Sequence, residues 1–516
     1  MNTENDSSEI LPLLQQVAQF FSTHERRAFL VGGSVRDLLL HVPCVDWDIA
    51  TDGDAPRLAR ELANMLGGYY AYMNDKACRI TIKQQPTTER GEALEAAKSW
   101  ETVLDIAPLH GASIEADLRL RDFTLNALAV PLSDLVPHLS AGMPLPLIDP
   151  LHGADDLAAQ RLRAVSDATF QQDPLRMLRA VRFMQRYQLT LETQSEAMLV
   201  RDAPLLVRVA AERVHDELYA LLTPTAAAER LRFLDSHGLF TVLFPEFAPA
   251  RGMRQPGLHH WDVLEHSLET VGSLERLAAI LQASPLESDP LAEQSDIVGI
   301  RELLTEAEQQ GIFRGADLLS APMKLAALLH DIGKTITFTT DEGGHIHFYG
   351  HPQAGIPLAQ HIMRRLSVST RDARLVQQVV DHHMRPGQLS HDMLTPRAIR
   401  RYFVDLGPVG INVALISLAD HLAMRGPAPL GTPWERHLAT VRQLLTAYVR
   451  ERKRILPPRL IQGDELMHRL HIAPGPLVGY LLEQIAAAQA EGSIHSKEEA
   501  LWLCSILRRI EKGEEF

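Results

Sequence analysis

The chain has 516 residues, 46% of them hydrophobic and 22% charged, and a formal net charge of −14. This length exceeds one ordinary core and implies about three or four domains, while the acidic balance excludes a surface coated with base and leaves room only for a local basic stripe. Cys44, Cys78 and Cys504 form no C-x-x-C pair, no apolar run approaches the ~20 residues of a bilayer span, and the polar, acidic start "MNTENDSSEI" argues against a secretory signal or transit peptide. A cytoplasmic protein with no membrane partner is expected.

In chain order, "AFLV" (28–31), "WDIA" (47–50), "CRITI" (78–82), "TVLDI" (102–106) and "LAVPL" (128–132) read as strands, and "PRLARELANML" (56–66) as an amphipathic helix. The polar stretch 83–101 reads as loop. From about residue 154 helical periodicity dominates, as in "DPLRMLRAVRFMQRY" and "AAERVHDELYALL". A Pro/Gly-rich joint at 245–260 leads into a His-rich helical region. The acidic stretch 284–318 reads as a surface insertion, and a last helical module follows 425–460.

The stretch "FLVGGSVRDLLLHVPCVDWDIATD" (29–52) holds the densest chemistry. Gly32 and Gly33 follow a strand and open a helix, a turn that aims backbone N–H groups at an anion and lets phosphate approach. Arg36, one turn in, is a candidate phosphate donor. Asp46 and Asp48 alternate on a strand, so both carboxylates share one face and suit paired divalent cations.

This stretch resembles the catalytic signature of the polymerase-β-like nucleotidyltransferases of the tRNA CCA-adding and bacterial poly(A) polymerase class, in its bacterial class II branch. Later blocks resemble that family's motifs in order: "RLRDFTLNALAV" (119–130), "IDPLHGADDLAAQRLRAV" (148–165), "QQDPLRMLRAVRF" (171–183) and "AAERVHDELYALL" (210–222). The resemblance implies that Asp46 and Asp48 hold Mg²⁺, with Asp105 as a third carboxylate, and that Gly32, Gly33, Arg36 and Arg121 hold the triphosphate. Asp122 and Asn126 would brace the site. Asp173 and Arg176 would select the base of CTP or ATP, with Arg179 and Arg182 beside them. On a helix Arg176, Arg179, Arg182 and Arg186 form one stripe, and Arg161, Arg163, Arg201, Arg208 and Arg213 add to a local arginine enrichment suited to RNA.

Two departures stand out. Gln172-Asp173 replaces the family's usual Glu-Asp. The link from Asp105 to the second motif is short and resembles CC-adding variants, which stop before the terminal A and need a separate A-adding enzyme.

A second constellation joins His266, His330-Asp331 in "HDIGK", His351, His382 with His383 beside it, and Asp420. Imidazole and carboxylate ligands spread over several helices suit one or two divalent metals in a bundle core. The ordered set resembles the HD phosphohydrolase domain and implies a metal-dependent phosphatase or phosphodiesterase, with a metal-binding relic as the alternative.

The expected architecture is α+β: a nucleotidyltransferase head (9–150), a helical neck that selects nucleotide and binds RNA (151–245), an HD domain (246–430) and a C-terminal helical module that contacts tRNA or packs (431–516). The expected activity is template-independent addition of CMP, with or without AMP, to a tRNA 3′ end. Alternatives are a poly(A) polymerase, a phosphohydrolase whose head only holds RNA, and a non-catalytic RNA scaffold.

Overall fold

The computed structural model describes residues 4–44, 46–73, 76–84, 100–257, 259–282, 289–391 and 394–511. Most of the stretch read as loop, 85–99, lies outside the described residues. The chain divides into two compact units, Met1–Val209 and Ala210–Phe516.

The first unit is built on a six-stranded sheet. Its strands are β1 (Ala28–Val31), β2 (Asp46–Thr51), β3 (Tyr69–Tyr72), β4 (Cys78–Gln84), β5 (Trp100–Pro108) and β6 (Ala129–Pro131), in the spatial order β3-β4-β5-β2-β1-β6. β2 and β5 run parallel and the other neighbours antiparallel. Alternation along β2 sends Trp47 and Ile49 into the main core with Ile80, Leu104 and Ile106, and leaves Asp46 and Asp48 on the opposite face.

Helix α1 (Glu4–Thr23) seals that core with Leu13, Leu14, Val17, Phe20 and Phe21. The sequence reading misses α1 because Pro12 lies inside it and its first turns are polar. It also misses β3, an edge strand whose Tyr69 and Tyr72 are exposed. α2 (Gly33–Leu39) carries the Gly-Gly turn into the helix. α3 (Ala55–Leu66) begins at Asp54, whose side chain accepts from Arg57 N–H, has Pro56 in its first turn and ends at Gly67 with φ +65°, the start and stop chemistry of a well-defined helix. Over the carboxylate-bearing face a smaller core of Phe29, Val31, Ala50, Ile114 and Leu118 seats α4 (Ile114–Leu118). The helix Arg176–Tyr187 buries Met177, Leu178, Ala180, Val181 and Phe183.

Among the described residues the second unit is almost entirely helical, with one two-stranded pair at Thr339–Thr340 and Ile346–His347. The described part of the stretch read as an insertion contradicts that reading. Ser295–Gln309 is a helix that buries Ile297, Ile300, Leu303 and Leu304, and Arg442 and Arg450 of the helix Gly431–Arg450 pair with its Asp296 and Glu306. Its charges occupy the outer face of an amphipathic element, so composition alone looked like solvent-exposed chain.

Candidate functional site

In the head, Asp48 and Asp105 are direct partners across the parallel β2–β5 pair, and Asp46 stands two residues before Asp48. The three carboxylates therefore share one face of the sheet. Burial, opposed by Arg121 and reinforced by the charges of Asp105 and Asp46, pushes the Asp48 carboxyl up to about 6. A divalent cation relieves that crowding, so these residues fit a metal.

The Gly-Gly turn lies directly beside them. Gly32 has φ +66°, and a Cβ there would meet Arg121 Nη1 at 2.7 Å; a Cβ at Gly33 would stand 3.7 Å from Asp48 Oδ2. Glycine keeps open a space bounded by a cation, backbone N–H groups and a carboxylate, which suits a phosphate group bridging to a metal. Arg121 is held there by Asp117 at 3.0 Å, and Asp48, Asp105, Asp117 and Arg121 line one cavity of about 420 Å³ together with His110 and Leu120.

Ser34, which the sequence places in the turn without a role of its own, locks the turn to β2. Its Oγ donates to the Asp46 carbonyl (3.0 Å) and accepts from Asp48 N–H (2.8 Å). Cys44 is half-buried near the same carboxylates, and desolvation pushes its thiol up to about 12, so it stays protonated.

Arg36, expected to donate to the triphosphate, is already engaged within the protein. It is 5% exposed, and every nitrogen of its guanidinium donates to a protein group: Nε and Nη2 to Asp37, Nη1 to Asn126, and Nη2 also to the Tyr187 hydroxyl. It stacks on the Tyr187 ring and braces the turn, and its Nη2 stands 3.3 Å from where a Cβ of Gly33 would lie, so it also borders the glycine-lined space. The network continues from Asn126 Nδ2 to Asp122 Oδ1 (2.9 Å), and Arg179 donates to Asp122 Oδ2 through Nε (3.0 Å) and Nη2 (2.8 Å). Despite its burial, Asp122 is held below the ordinary carboxylate range by Arg179 and these hydrogen bonds.

Arg176 donates to the Leu120 carbonyl, Asp173 accepts from Leu175 N–H, and Arg182 lies against the Phe183 ring. The nearby arginine enrichment is partly neutralised. Arg161 and Arg163 both pair with Asp156, and Arg201 pairs with Asp167 and Asp202. The short link after Pro108 is Leu109–Ser113, anchored by Leu109 N–H on the Thr51 carbonyl and His110 N–H on Asp117.

In the second unit the helices Val263–Leu281, Ala321–Leu329, His351–Arg365, Thr370–His382 and Val409–Arg425 converge on a buried histidine–aspartate centre. Ligand atoms form two groups, His266–His330–Asp420 and Asp331–His351–His383. Asp331 joins them: Oδ2 lies 3.4 Å from His266 Nε2 and 3.2 Å from His330 Nε2, and Oδ1 lies 3.2 Å from His351 Nε2 and 3.4 Å from His383 Nε2. The expected ligand His382 is corrected to His383. His382 sits at the end of its helix against Asp381, a quarter exposed, whereas His383 is fully buried at the centre. In the pair "HH", one residue of helical rotation decides which imidazole faces inward, and composition cannot resolve it.

Nδ1 of His330, His351 and His383 lies 2.8–2.9 Å from the carbonyls of Ala327, Phe348 and Val380. Those bonds place the proton on Nδ1 and leave Nε2 as an inward lone pair. Nε2 of His266 and His330 is buried without a well-formed hydrogen bond, the mark of donors converging on a cation. Lys334 Nζ, 2.6 Å from Asp331 Oδ2, helps hold Asp331 well below the usual carboxylate range against its burial. A Cβ at Gly333 would strike the His351 carbonyl at 2.0 Å, so "HDIGK" needs glycine for close packing. The residues fit a metal centre.

The chain matches the family described as poly A polymerase head domain over residues 28–163, the family described as "Probable RNA and SrmB- binding site of polymerase A" over 188–251, and the HD domain family over 263–425. It is 34% identical to the A-adding tRNA nucleotidyltransferase of Deinococcus radiodurans, over 92% of this chain and 94% of the relative. It is 30% identical to the CC-adding tRNA nucleotidyltransferase of Geobacter sulfurreducens, over 92% and 90%. Among solved structures, a Thermotoga maritima CCA-adding enzyme complexed with tRNA shares the fold, with a TM-score of 0.57 and 19% identity over 98% of this chain and 99% of that one.

Proposed function

Because the chain belongs to the tRNA nucleotidyltransferase and poly(A) polymerase family, we propose that it extends the 3′ end of tRNA with CMP from CTP, or AMP from ATP, without a template. The observation that carries this reading is the glycine-lined space between Arg121 and Asp48, next to Asp46 and Asp105. Asp46 and Asp48 would hold Mg²⁺, which when bound supplies charge neutralisation on the triphosphate and lowers the pKa of the attacking 3′-hydroxyl.

The chain's own residues do the rest. Gly32 and Gly33 admit the triphosphate to the backbone, Arg121 donates to its oxygens, and Ser34 fixes the two aspartates relative to the turn. Arg36 braces the turn through Asp37, Asn126 and Tyr187. Asp173, Arg176, Arg179 and Arg182 offer the hydrogen-bonding groups that read the base. A cytoplasmic location follows from a tRNA substrate; among the described residues no single helix is long and apolar enough to cross a membrane.

CMP addition is favoured by the short Leu109–Ser113 link, with a separate A-adding enzyme then completing the end. Extension of three tRNA transcripts, ending before C, after C and after CC, with CTP and ATP supplied singly and together, tests this. Arrest after two added C residues supports CC addition. Extension of the CC-ending transcript by ATP makes the chain an A-adding or full CCA-adding enzyme. Extension of a generic RNA by many A residues makes it a poly(A) polymerase, and no extension of any RNA defeats the nucleotidyltransferase reading.

A second reading, compatible with the first, is favoured by the Asp331-bridged ligand groups. The HD centre would hold one or two divalent metals and hydrolyse phosphate esters. Loss of phosphate release in Asp331→Asn, with nucleotide addition retained, is the expected result.

A further inference from the structure

One residue of the head site has no part in the reading above. Arg79, on β4, is the direct partner of Asp105 on β5, which is the direct partner of Asp48 on β2. The three side chains form a row on one face of the sheet. Arg79 donates Nε to Asp105 Oδ1 at 2.9 Å and Nη2 to Oδ2 at 2.7 Å, a fork that engages both oxygens along the edge where a cation would otherwise chelate. The two side chains are 37% and 26% exposed, so the pair adds little to stability. Its geometry, one row from Asp48, is what calls for an account.

We propose that Arg79 is a positioning residue that withholds Asp105 from the metals, making the head's cation site a two-carboxylate site of Asp46 and Asp48. The proposal rests on the nucleotidyl-transfer reading. Two carboxylates bind a divalent cation weakly, so the phosphates of the incoming nucleotide complete the coordination shell, and metal and nucleotide enter together. Asp105, its charge balanced by the guanidinium, then serves as an acceptor at the wall of the cavity rather than as a ligand.

The test is a Mn²⁺ titration of the full chain without nucleotide. Free metal is read by electron paramagnetic resonance, and metal-bound water by proton relaxation. The head site is the binding that Asp46→Asn/Asp48→Asn removes. With Arg79→Gln, Asp105 is released, and the expected result is at least fivefold tighter head-site binding with loss of a coordinated water. Adding Asp105→Asn to that variant returns both to their original values. Arg79→Lys, which keeps the charge but cannot fork, gives a smaller rise with the same loss of water, and is decisive if Arg79→Gln does not fold. Unchanged affinity overturns the proposal, and so does tighter binding with the water count unchanged, which is a charge effect alone. If Asp46→Asn/Asp48→Asn removes no Mn²⁺ from the Arg79→Gln variant either, the proposal is overturned, whereas the nucleotidyl-transfer reading fails separately, when the unaltered chain with Mg²⁺, CTP and ATP extends no RNA.

Discussion

At the scale of single residues, Gly32 and His383 make opposite demands on sequence reading. Gly32 was identified from its neighbours alone, and its reason is physical: φ is +66° and a Cβ would press on Arg121 Nη1. Gly32→Ala strains the backbone and shifts the cation that faces the triphosphate. It is expected to cost about 1 kcal/mol of stability and to raise the KM for nucleotide about tenfold, measured by urea unfolding and steady-state incorporation. His383 could be named only together with its neighbour, because a side chain's direction depends on where its helix ends. Metal analysis separates the two histidines. His383→Ala is expected to lose metal from the HD centre, while His382→Ala retains it.

At the scale of elements, the strands of the head were legible because alternation and β-branching survive burial: β1, β2, β4 and β5 contain four of the runs read as strands, and β6 lies inside the fifth, which overshoots it by one residue at each end. The pairing that sets Asp48 beside Asp105, and Arg79 beyond it, was not legible, since register is a property of two strands and no spacing along one chain encodes it. The same limit hid the partners of Arg36. Sequence types it as a phosphate donor, and only the approach of the helix Arg176–Tyr187 turns it into a brace. The buried relay Arg36–Asn126–Asp122–Arg179 makes its own demand. Asp122 titrates below its unfolded value, so it adds stability that is fully present above the ordinary carboxylate pKa and is lost as pH falls through its folded value. Asp122→Asn is therefore expected to lower stability at pH 7 by about 2 kcal/mol, the loss of charge-assisted hydrogen bonds to a half-buried guanidinium, and to flatten the dependence of stability on pH below the ordinary carboxylate pKa. Chemical denaturation at several pH values measures both.

At the scale of the whole molecule, the two units face different cation problems. The head presents its carboxylates on an open sheet face, where a metal gains little without nucleotide. The HD centre encloses His266, His330, Asp331 and His383 at no more than 2% exposure, and ligands drawn from five helices gain order when a cation ties them together. A ligand that binds only the folded state stabilises it by RT ln(1 + [L]/Kd), about 2.7 kcal/mol at a hundredfold excess over Kd. Chelation of the purified chain is therefore expected to lower a calorimetric midpoint by several degrees, and Mn²⁺ to restore it. Asp331→Asn removes the ligand that bridges the two groups, so its midpoint should respond to neither treatment, whereas Asp48→Asn should respond as the unaltered chain does. A midpoint in the unaltered chain that ignores chelator would mean that the five helices hold the histidine centre together without a metal, through the Asp331–Lys334 pair and the backbone bonds to Nδ1 alone.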